Sequence, residues 1–296
     1  MSAERTYASP PGRLGLFARA GVGLIPGASK LPLVGGGGGK EIPSLTLRLT
    51  DQSVDRDRLS SYSRVCGFQL SDTLPATYPH ILAFPLHLAL MTDPSFPFPA
   101  IGLVHISNQI TQHRPVGTQE RLALRVWATP LEPHPRGHQF SIRTVAFVGE
   151  DLVWEEVSTN LRRGGGSGGT AREQERQREA EELPSAATWR PPGDLGRRYA
   201  SVSGDINPIH MHSLSARLFG FPSAIAHGMW TKARSLAALG TLPDAFVVEV
   251  SFRRPILLPA TVEFAEPRAQ DGSTRFAVRD AGKGTPHLDG SLRPQR

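Results

Sequence analysis

The chain of 296 residues repeats part of its own sequence, and this repetition limits its fold more than any other feature. Four blocks recur in the same order: Tyr62–Gly67 with Tyr199–Gly204, Pro79–Pro85 with Pro222–Gly228, Val104–Ser107 with Val248–Ser251, and Arg114-Pro115 with Arg254-Pro255. The first pair is offset by 137 positions and the second by 143, which predicts six extra residues in the second half. Four matches in one order indicate a duplicated domain.

Composition shifts divide the chain around these repeats. A glycine and serine run at 164–169 leads into the charged stretch 172–182, which is typical of a linker. Residues 5–40 are basic, lack acidic side chains and end in five glycines. We therefore predict a flexible N-terminal extension at 1–40, a first repeat at 41–162, a linker at 163–185 and a second repeat at 186–296.

Both repeats show the same mixture of strand and helix signals. Alternating, β-branched or aromatic segments predict strands at 122–128, 140–148, 247–252 and 261–264. Apolar, helix-favouring segments predict one helix per repeat, at 81–91 and 228–239. One helix with several antiparallel strands, present twice, indicates an α+β fold.

The differences between the repeats suggest where chemistry takes place. The second repeat has Asp205 where the first has Phe68, and His227-Gly228 where the first has Phe84-Pro85. Because proline lacks a backbone N–H, position 85 cannot donate a hydrogen bond that the Gly228 amide can donate. The first repeat is therefore predicted to be non-catalytic, and the site is expected in the second.

The segment from Gly204 to His210 has the composition of a turn, with glycine, aspartate, asparagine and proline in close succession. Such a turn can direct Asp205 and His210 into one space. A carboxylate and an imidazole that face one water molecule form a general acid/base pair. Further on, Gly228 is predicted to begin a helix, where free N–H groups can stabilise an oxyanion.

The segment Tyr199–His210, followed by Ala226-His227-Gly228, resembles the signature of the MaoC-like enoyl-CoA hydratases and 3-hydroxyacyl-thioester dehydratases. The specific motif Gly-Asp-x-Asn-Pro-x-His is complete at Gly204–His210, and the similarity covers most of both repeats. This resemblance implies a double hot-dog fold, in which each repeat wraps an antiparallel sheet around one long helix. It also implies an enzyme, a hydro-lyase that reversibly hydrates trans-2-enoyl thioesters to (3R)-3-hydroxyacyl thioesters in fatty-acid metabolism.

The resemblance assigns roles to individual residues. Asp205 and His210 position and activate water, and the Gly228 amide receives the thioester oxygen. Tyr199, Gly204, Asn207 and His227 support them, although His227 can equally be an ordinary buried histidine. The first repeat would form a wall of the acyl pocket. The implied substrate carrier is coenzyme A or the phosphopantetheine of an acyl-carrier protein, with no other cofactor.

Other residues have competing interpretations. Arg253 and Arg254 can pair with carrier phosphates, or they are solvated surface arginines. His210, His212 and Asp205 lack further ligands with recognisable spacing, so we expect no metal. The net charge of +6 comes mainly from scattered arginines, often beside acidic residues, so we expect no nucleic-acid partner.

Two other functions remain open at this stage, a hot-dog acyl-CoA thioesterase and a non-catalytic acyl-thioester-binding subunit of a heteromeric dehydratase. No run approaches the roughly 18 apolar residues of a membrane span, so no membrane span is expected. The arginine-rich, lysine-poor composition suggests a bacterial cytoplasmic protein, with mitochondria as the alternative location. A homodimer is left open.

Overall fold

The computed structural model describes residues 3–22, 41–164, 183–267 and 273–295. Its helices fall into two sets that follow the repeats. They are α1 (Arg13–Val22), α2 (Arg56–Cys66), α3 (Tyr78–Met91), α4 (Leu195–Ser203), α5 (Pro208–Met211), α6 (Ser213–Leu218) and α7 (Gly228–Leu239). None of the helices in these ranges is long and apolar enough to cross a membrane.

Twelve strands of the described ranges form one sheet. They are β1 (Ala3–Tyr7), β2 (Leu45–Gln52), β3 (Val104–Gln112), β4 (Leu122–Ala128), β5 (Glu132–His134), β6 (Gly137–Val148), β7 (Asp151–Arg163), β8 (Ser185–Trp189), β9 (Phe246–Phe252), β10 (Val262–Ala265), β11 (Thr274–Asp280) and β12 (Pro286–Pro294). Their order is β1-β2-β4-β6-β7-β3-β9-β12-β11-β10-β8, and β5 pairs with β6.

The strand order is symmetric about the junction of β3 and β9. On one side lie β7, β6, β4 and β2, and on the other lie their counterparts β12, β11, β10 and β8. The junction strands pair antiparallel, with Ser107 opposite Ser251 and Gln112 opposite Phe246. Backbone hydrogen bonds therefore join the repeats, and a single cluster of buried apolar side chains spans both of them.

One central helix per repeat packs on this sheet. The first, α3, is buried on almost every side because its sequence is nearly all apolar, and it packs on β2, β4 and β6. The second, α7, buries Met229, Trp230, Ala233 and Leu236 together with several polar side chains. Burying such apolar side chains is the main stabilising contribution, at roughly 25 cal/mol per Å².

The predicted elements agree with this architecture. The strands expected at 122–128, 140–148, 247–252 and 261–264 are present as β4, β6, β9 and β10. The helix expected at 228–239 is α7, and the one expected at 81–91 is α3, which begins at Tyr78. The α+β prediction is confirmed.

The beginning of the chain differs from the flexible extension that we expected for residues 1–40. Ala3–Tyr7 pairs in parallel with β2, and Arg5 forms an ion pair with Asp93 at 3.0 Å. Leu16 and Ala20 of α1 are buried, because α1 packs against α3. Residues 23–40 and most of the predicted linker, 165–182, lie outside the described residues.

The alignment of the repeats needs one correction. Helices α2 and α4 both end at a glycine with positive φ, Gly67 at 81° and Gly204 at 82°, as the first matched block requires. An isolated bridge then joins Thr73 to Gly117 in the first repeat and Ile225 to Leu257 in the second. Equivalent backbone hydrogen bonds flank both bridges, so Leu74 corresponds to Ala226.

The match of Pro79–Pro85 with Pro222–Gly228 is therefore wrong. The counterpart of Gly228 is Ala76, whereas Pro85 lies inside α3. Seven positions separate Gly67 from Leu74 but twenty-two separate Gly204 from Ala226, so the second repeat has fifteen extra residues, not six. The two segments have similar apolar sequences, but this similarity does not reflect equivalent positions. The equivalence of the two repeats is set by the long-range bridges.

Candidate active site

The extra residues of the second repeat form the loop that carries Asp205 and His210. Gly204 takes the left-handed conformation at the end of α4, and its N–H donates to the Ala200 carbonyl at 2.8 Å. This conformation favours glycine, because it brings a Cβ of other residues close to the backbone. The chain therefore leaves α4 sharply and presents the next residue, Asp205.

Asp205 and Asn207 order the loop through their own side chains. Asp205 Oδ1 accepts a hydrogen bond from the Asn207 N–H at 3.1 Å, and Asn207 Oδ1 accepts one from the Ile209 N–H at 3.4 Å. Asn207 is thus the N-cap of the short helix α5, whose first residue, Pro208, needs no N–H partner. This geometry places His210 near the end of α5.

The structure brings Asp205, His210 and His227 together. The two imidazole rings are stacked with their centroids 3.6 Å apart. One ring nitrogen of each histidine and one Asp205 carboxylate oxygen lie within 4.8 Å of one another. His210 and His227 are 8 % and 3 % exposed, whereas the Asp205 side chain is 27 % exposed. The cluster is therefore reachable from solvent through Asp205.

Backbone carbonyls fix the tautomer of each histidine. His210 Nδ1 lies 2.8 Å from the Ile225 carbonyl oxygen, so Nδ1–H donates and Nε2 keeps its lone pair. His227 Nε2–H donates to the Asp205 carbonyl at 3.0 Å, which leaves the lone pair on Nδ1. That Nδ1 is buried and has no hydrogen-bond partner among the described residues.

Burial keeps both imidazoles neutral. Burial lowers the pKa of His210 below its ordinary value, although the nearby Asp205 carboxylate acts in the opposite direction. Burial and the adjacent His210 lower the pKa of His227 to about 3. At neutral pH the cluster therefore holds two neutral imidazoles, with a basic nitrogen on His210.

Gly228 begins α7 directly beside this cluster, after the N-cap His227. The N–H of the first helical residue has no carbonyl partner within its own helix, and it lies at the positive end of the helix dipole. A Cβ at position 228 would lie 3.0 Å from Cε1 of the Phe252 ring. The absence of a side chain thus lets the Phe252 ring pack directly against the helix start.

Tyr199 packs behind the cluster. Its ring is buried, with its centroid 4.8 Å from that of His227 and 6.2 Å from that of Tyr62 in the first repeat. Burial raises the pKa of the Tyr199 hydroxyl well above its usual value, so it stays protonated. Tyr199 therefore connects the cluster with the first repeat.

Arg253 and Arg254 follow β9 immediately after Phe252, on the side of the helix start. Arg253 forms an ion pair with Asp289, so its guanidinium is not simply solvated. Arg254 is exposed, and its carbonyl accepts a hydrogen bond from His287 Nδ1 at 2.9 Å. The two neighbouring arginines therefore differ, because Arg253 is paired with Asp289 and Arg254 is exposed.

Two residues that the sequence analysis did not single out also shape the site. Ile225 supplies the carbonyl that orients His210. At Gly196 a Cβ would lie 1.9 Å from the His210 carbonyl oxygen, so only glycine allows α4 to approach α5 this closely. In the sequence, only the presence of a glycine within a helical segment could have indicated this close contact.

Two groups within the described residues offer enough ligand atoms for a metal ion. One is Asp205, His210 and His227, and the other is the fully buried set His80, His87 and Glu156. In the first group, one nitrogen of each histidine is already engaged by a carbonyl. In the second group, His80 Nδ1 lies 2.8 Å from Glu156 Oε1, and His87 Nε2 lies 2.7 Å from the Thr144 hydroxyl.

Comparisons with known proteins agree with this arrangement. The family model of the MaoC like domain matches residues 171–281. The chain is 37 % identical over 254 residues to 3-hydroxyacyl-thioester dehydratase X of Mycobacterium tuberculosis, covering 86 % of this chain and 90 % of that protein. A second relative, 3-hydroxybutyryl-CoA dehydratase of Methylorubrum extorquens, is 39 % identical over 70 residues, which cover 22 % of this chain and 45 % of that protein.

Solved structures give the same fold. The crystal structure of HtdX of Mycobacterium tuberculosis superposes with a TM-score of 0.75 at 37 % identity, covering 84 % of this chain and 100 % of that one. Another Mycobacterium tuberculosis protein, which has a double hot-dog fold, superposes with a TM-score of 0.51 at 13 % identity, covering 82 % of this chain and 92 % of that one. The prediction of a double hot-dog fold is confirmed.

Proposed function

The chain belongs to the MaoC-like dehydratase family, and from this premise we propose that it reversibly adds water to trans-2-enoyl thioesters to give (3R)-3-hydroxyacyl thioesters. It is accordingly a hydro-lyase. One observation carries the proposal. The Asp205 carboxylate and a ring nitrogen of His210 lie within 4.8 Å of each other, beside the first N–H of α7.

Asp205 and His210 act on one water molecule. With Nδ1–H bonded to the Ile225 carbonyl, His210 presents the basic Nε2, and Asp205 presents the carboxylate oxygen that its own turn does not use. The water oxygen bonds to C3 of the substrate while one of these bases removes a proton. A proton from the pair is delivered to C2, so one water molecule is added and the pair ends unchanged.

The Gly228 amide stabilises the charge that develops during this addition. As the C3–O bond forms, electron density moves through C2 to the thioester carbonyl, which becomes an enolate oxygen. An N–H at a helix start points a partial positive charge at such an oxygen. The supporting residues hold this arrangement: Gly204 and Asn207 shape the loop, while His227 and Tyr199 pack behind it.

The carrier supplies the activated thioester, so we propose no further cofactor and no metal for the reaction. Coenzyme A and the phosphopantetheine of an acyl-carrier protein both end in the required thiol. The exposed Arg254 is the better placed of the two arginines for a carrier phosphate, because Arg253 is paired with Asp289. The first repeat, which has Phe68 in place of Asp205, forms the wall of the acyl pocket.

The decisive experiment follows the loss of enoyl-thioester absorbance when purified protein is mixed with crotonyl-CoA, and then with longer enoyl-CoA and enoyl-carrier substrates. Chiral analysis of the product should identify the (3R)-hydroxyacyl thioester. We expect Asp205→Asn and His210→Asn each to lower kcat by about 10²–10⁴-fold, the usual contribution of a general acid or base.

Asp72→Asn and His212→Asn are matched controls, because both side chains are exposed and lie outside the cluster. Both controls should retain wild-type turnover. Release of free thiol with a saturated acyl-CoA would identify a thioesterase instead. Binding without turnover on every substrate would identify an acyl-thioester-binding subunit. A cytoplasmic location and a homodimer remain proposals, to be tested by cell fractionation and by light scattering.

A further inference from the structure

An arginine of the first repeat bonds directly to the end of the helix that leads into the catalytic loop. Arg58 Nε donates to the Val202 carbonyl at 2.7 Å, and Arg58 Nη2 donates to the Ser203 carbonyl at 3.0 Å. These are the last two residues of α4, directly before Gly204 and Asp205. The last carbonyls of a helix lack donors within the helix, so partners from elsewhere decide how the helix ends.

The duplicated fold supplies an internal comparison. In the first repeat, the counterpart of Val202 is Val65, whose carbonyl accepts a hydrogen bond from Trp230 Nε1 at 3.0 Å. The counterpart of Arg58, nine residues before the capping glycine, is Leu195, which cannot donate from its side chain. The end of α4, which leads into the catalytic loop, therefore accepts two hydrogen bonds from one guanidinium, that of Arg58. At the position equivalent to Arg58 in the other repeat, the residue is Leu195.

The surroundings hold Arg58 in this position. It is partly buried, and burial and the nearby Arg13 guanidinium lower its pKa, with Asp55, Tyr78 and Tyr199 acting in the opposite direction. An arginine nevertheless stays protonated at neutral pH. Arg13 of α1 lies against the capping glycine itself, since a Cβ at Gly204 would be 1.9 Å from Arg13 Nη1. Arg58 of the first repeat and Arg13 of the preceding N-terminal segment thus enclose the end of α4.

We propose that Arg58 is a positioning residue for catalysis: by bonding the Val202 and Ser203 carbonyls, it sets where Asp205 lies relative to His210. This inference rests on the proposed hydratase function. It gives the first repeat an active part in the site of the second, beyond that of a wall. Displacing a catalytic group by about 1 Å can cost about 10² in rate, so a fixed helix end has a direct kinetic effect.

The test compares the intact enzyme with Arg58→Met, Arg58→Lys and the control Arg56→Met. Arg56 lies on the same helix, is exposed and is not part of the contact. We expect Arg58→Met to lower kcat at least about tenfold, with KM changed less than about twofold, because the loop geometry and not substrate affinity is disturbed. Arg58→Lys keeps one donor group and should recover part of kcat. Arg56→Met should behave as wild type.

A second comparison separates positioning from general stabilisation. Melting curves establish that each variant is folded at the assay temperature. When Arg58→Met is combined with Asp205→Asn, the residual rate should fall by less than about twofold relative to Asp205→Asn alone, because the group being positioned has been removed. A full additive loss, or an unchanged kcat in Arg58→Met, would overturn the proposal. An inactive wild-type enzyme would instead refute the hydratase function itself.

Discussion

At the scale of single residues, the site depends on backbone groups as much as on side chains. The Ile225 carbonyl fixes the proton of His210 on Nδ1, and the Asp205 carbonyl fixes that of His227 on Nε2. Every residue has a backbone carbonyl, so a sequence motif does not show which carbonyls take part in these contacts. Under the proposed function, the imidazole of His210 is thus prepared as a base before substrate arrives, since reorienting it would break a buried hydrogen bond.

The pH dependence of turnover should follow His210. Because burial lowers its pKa below the ordinary 6.5, His210 remains a neutral base down to pH values under 6.5 and loses its basicity only on further acidification. We therefore expect the acid limb of kcat/KM for hydration to be centred below pH 6.5, with the level region on its alkaline side. A pH–rate profile of the wild type and of His212→Asn measures this. An acid limb centred above 6.5 would contradict the assignment.

The sequence predicts features that are local and misses those that are not. Gly204, Asp205 and Asn207 form their turn from neighbouring atoms, so their motif already contains the geometry. The contact of Arg58 with Val202 joins positions 144 residues apart, and no local pattern encodes it. The fit of Gly196 against the His210 carbonyl also depends on how two helices approach one another.

At the scale of elements, α7 is anchored to both junction strands through one buried lysine. Lys232 Nζ donates to Asn108 Oδ1 at 2.5 Å and to the Asn108 and Val248 carbonyls at 3.2 and 3.3 Å. Lys232 lies one turn beyond Gly228. The lysine therefore fixes the helix that begins at Gly228, the proposed oxyanion donor, on the strands β3 and β9, which come from different repeats.

Replacing this lysine should destabilise the protein. Lys232→Met removes a hydrogen-bond donor from three buried acceptors, and it removes an amine whose pKa burial lowers to about 7. A buried acceptor that loses its donor typically costs about 1–3 kcal/mol of stability. The free energy of unfolding from urea denaturation measures the loss, with the exposed Lys283→Met as control. A loss below about 1 kcal/mol in Lys232→Met would show that the network is not needed for stability.

The register of the two central helices could not be predicted from sequence. Ile-Leu-Ala-Phe in α3 and Ala-Ile-Ala-His before α7 are similar strings, yet the bridges at Thr73 and Ile225 place them differently in the two repeats. The periodicity of a helix shows which face is apolar, but it does not fix where that helix lies along a sheet. The type of each element was therefore predictable from the sequence, whereas the position in the first repeat that corresponds to Gly228 was not.

At the scale of the whole molecule, a buried polar network joins the two repeats through the middle of the core. Glu156 lies 2.8 Å from His80 Nδ1 and accepts from Asn108 Nδ2 at 2.6 Å, and Asn108 in turn bonds Lys232 of the second repeat. Together with the β3–β9 pairing, this network makes the two repeats one body. Hydrophobic packing and polar contacts thus cross the same junction.

Glu156 should make the whole molecule sensitive to acid. Burial alone would raise its pKa, but His80, His87 and Asn108 outweigh it and lower the pKa from 4.5 to about 2. Because the pKa is lower in the folded state, Glu156 contributes stability above pH 4.5, and that contribution is lost as the pH falls from 4.5 to about 2.

Urea midpoints measured across this pH window test the point. Glu156→Gln should flatten the dependence of stability on pH between 4.5 and about 2, because the titrating group is gone. Glu155→Gln, whose side chain is 39 % exposed, is the neighbouring control and should keep most of the wild-type slope. An unchanged slope in Glu156→Gln would show that other carboxylates govern the acid response.

The covalent joining of two related halves also changes how the site can evolve. A protein made of two identical subunits carries every substitution twice, once on each side of its twofold axis. In this chain, positions 58 and 195 are separate codons, so arginine bonds the end of one helix while the equivalent position in the other repeat is leucine. Under the proposed function, selection can therefore refine the loop that carries Asp205 and His210 and, independently, adapt its counterpart in the first repeat to the shape of the acyl group.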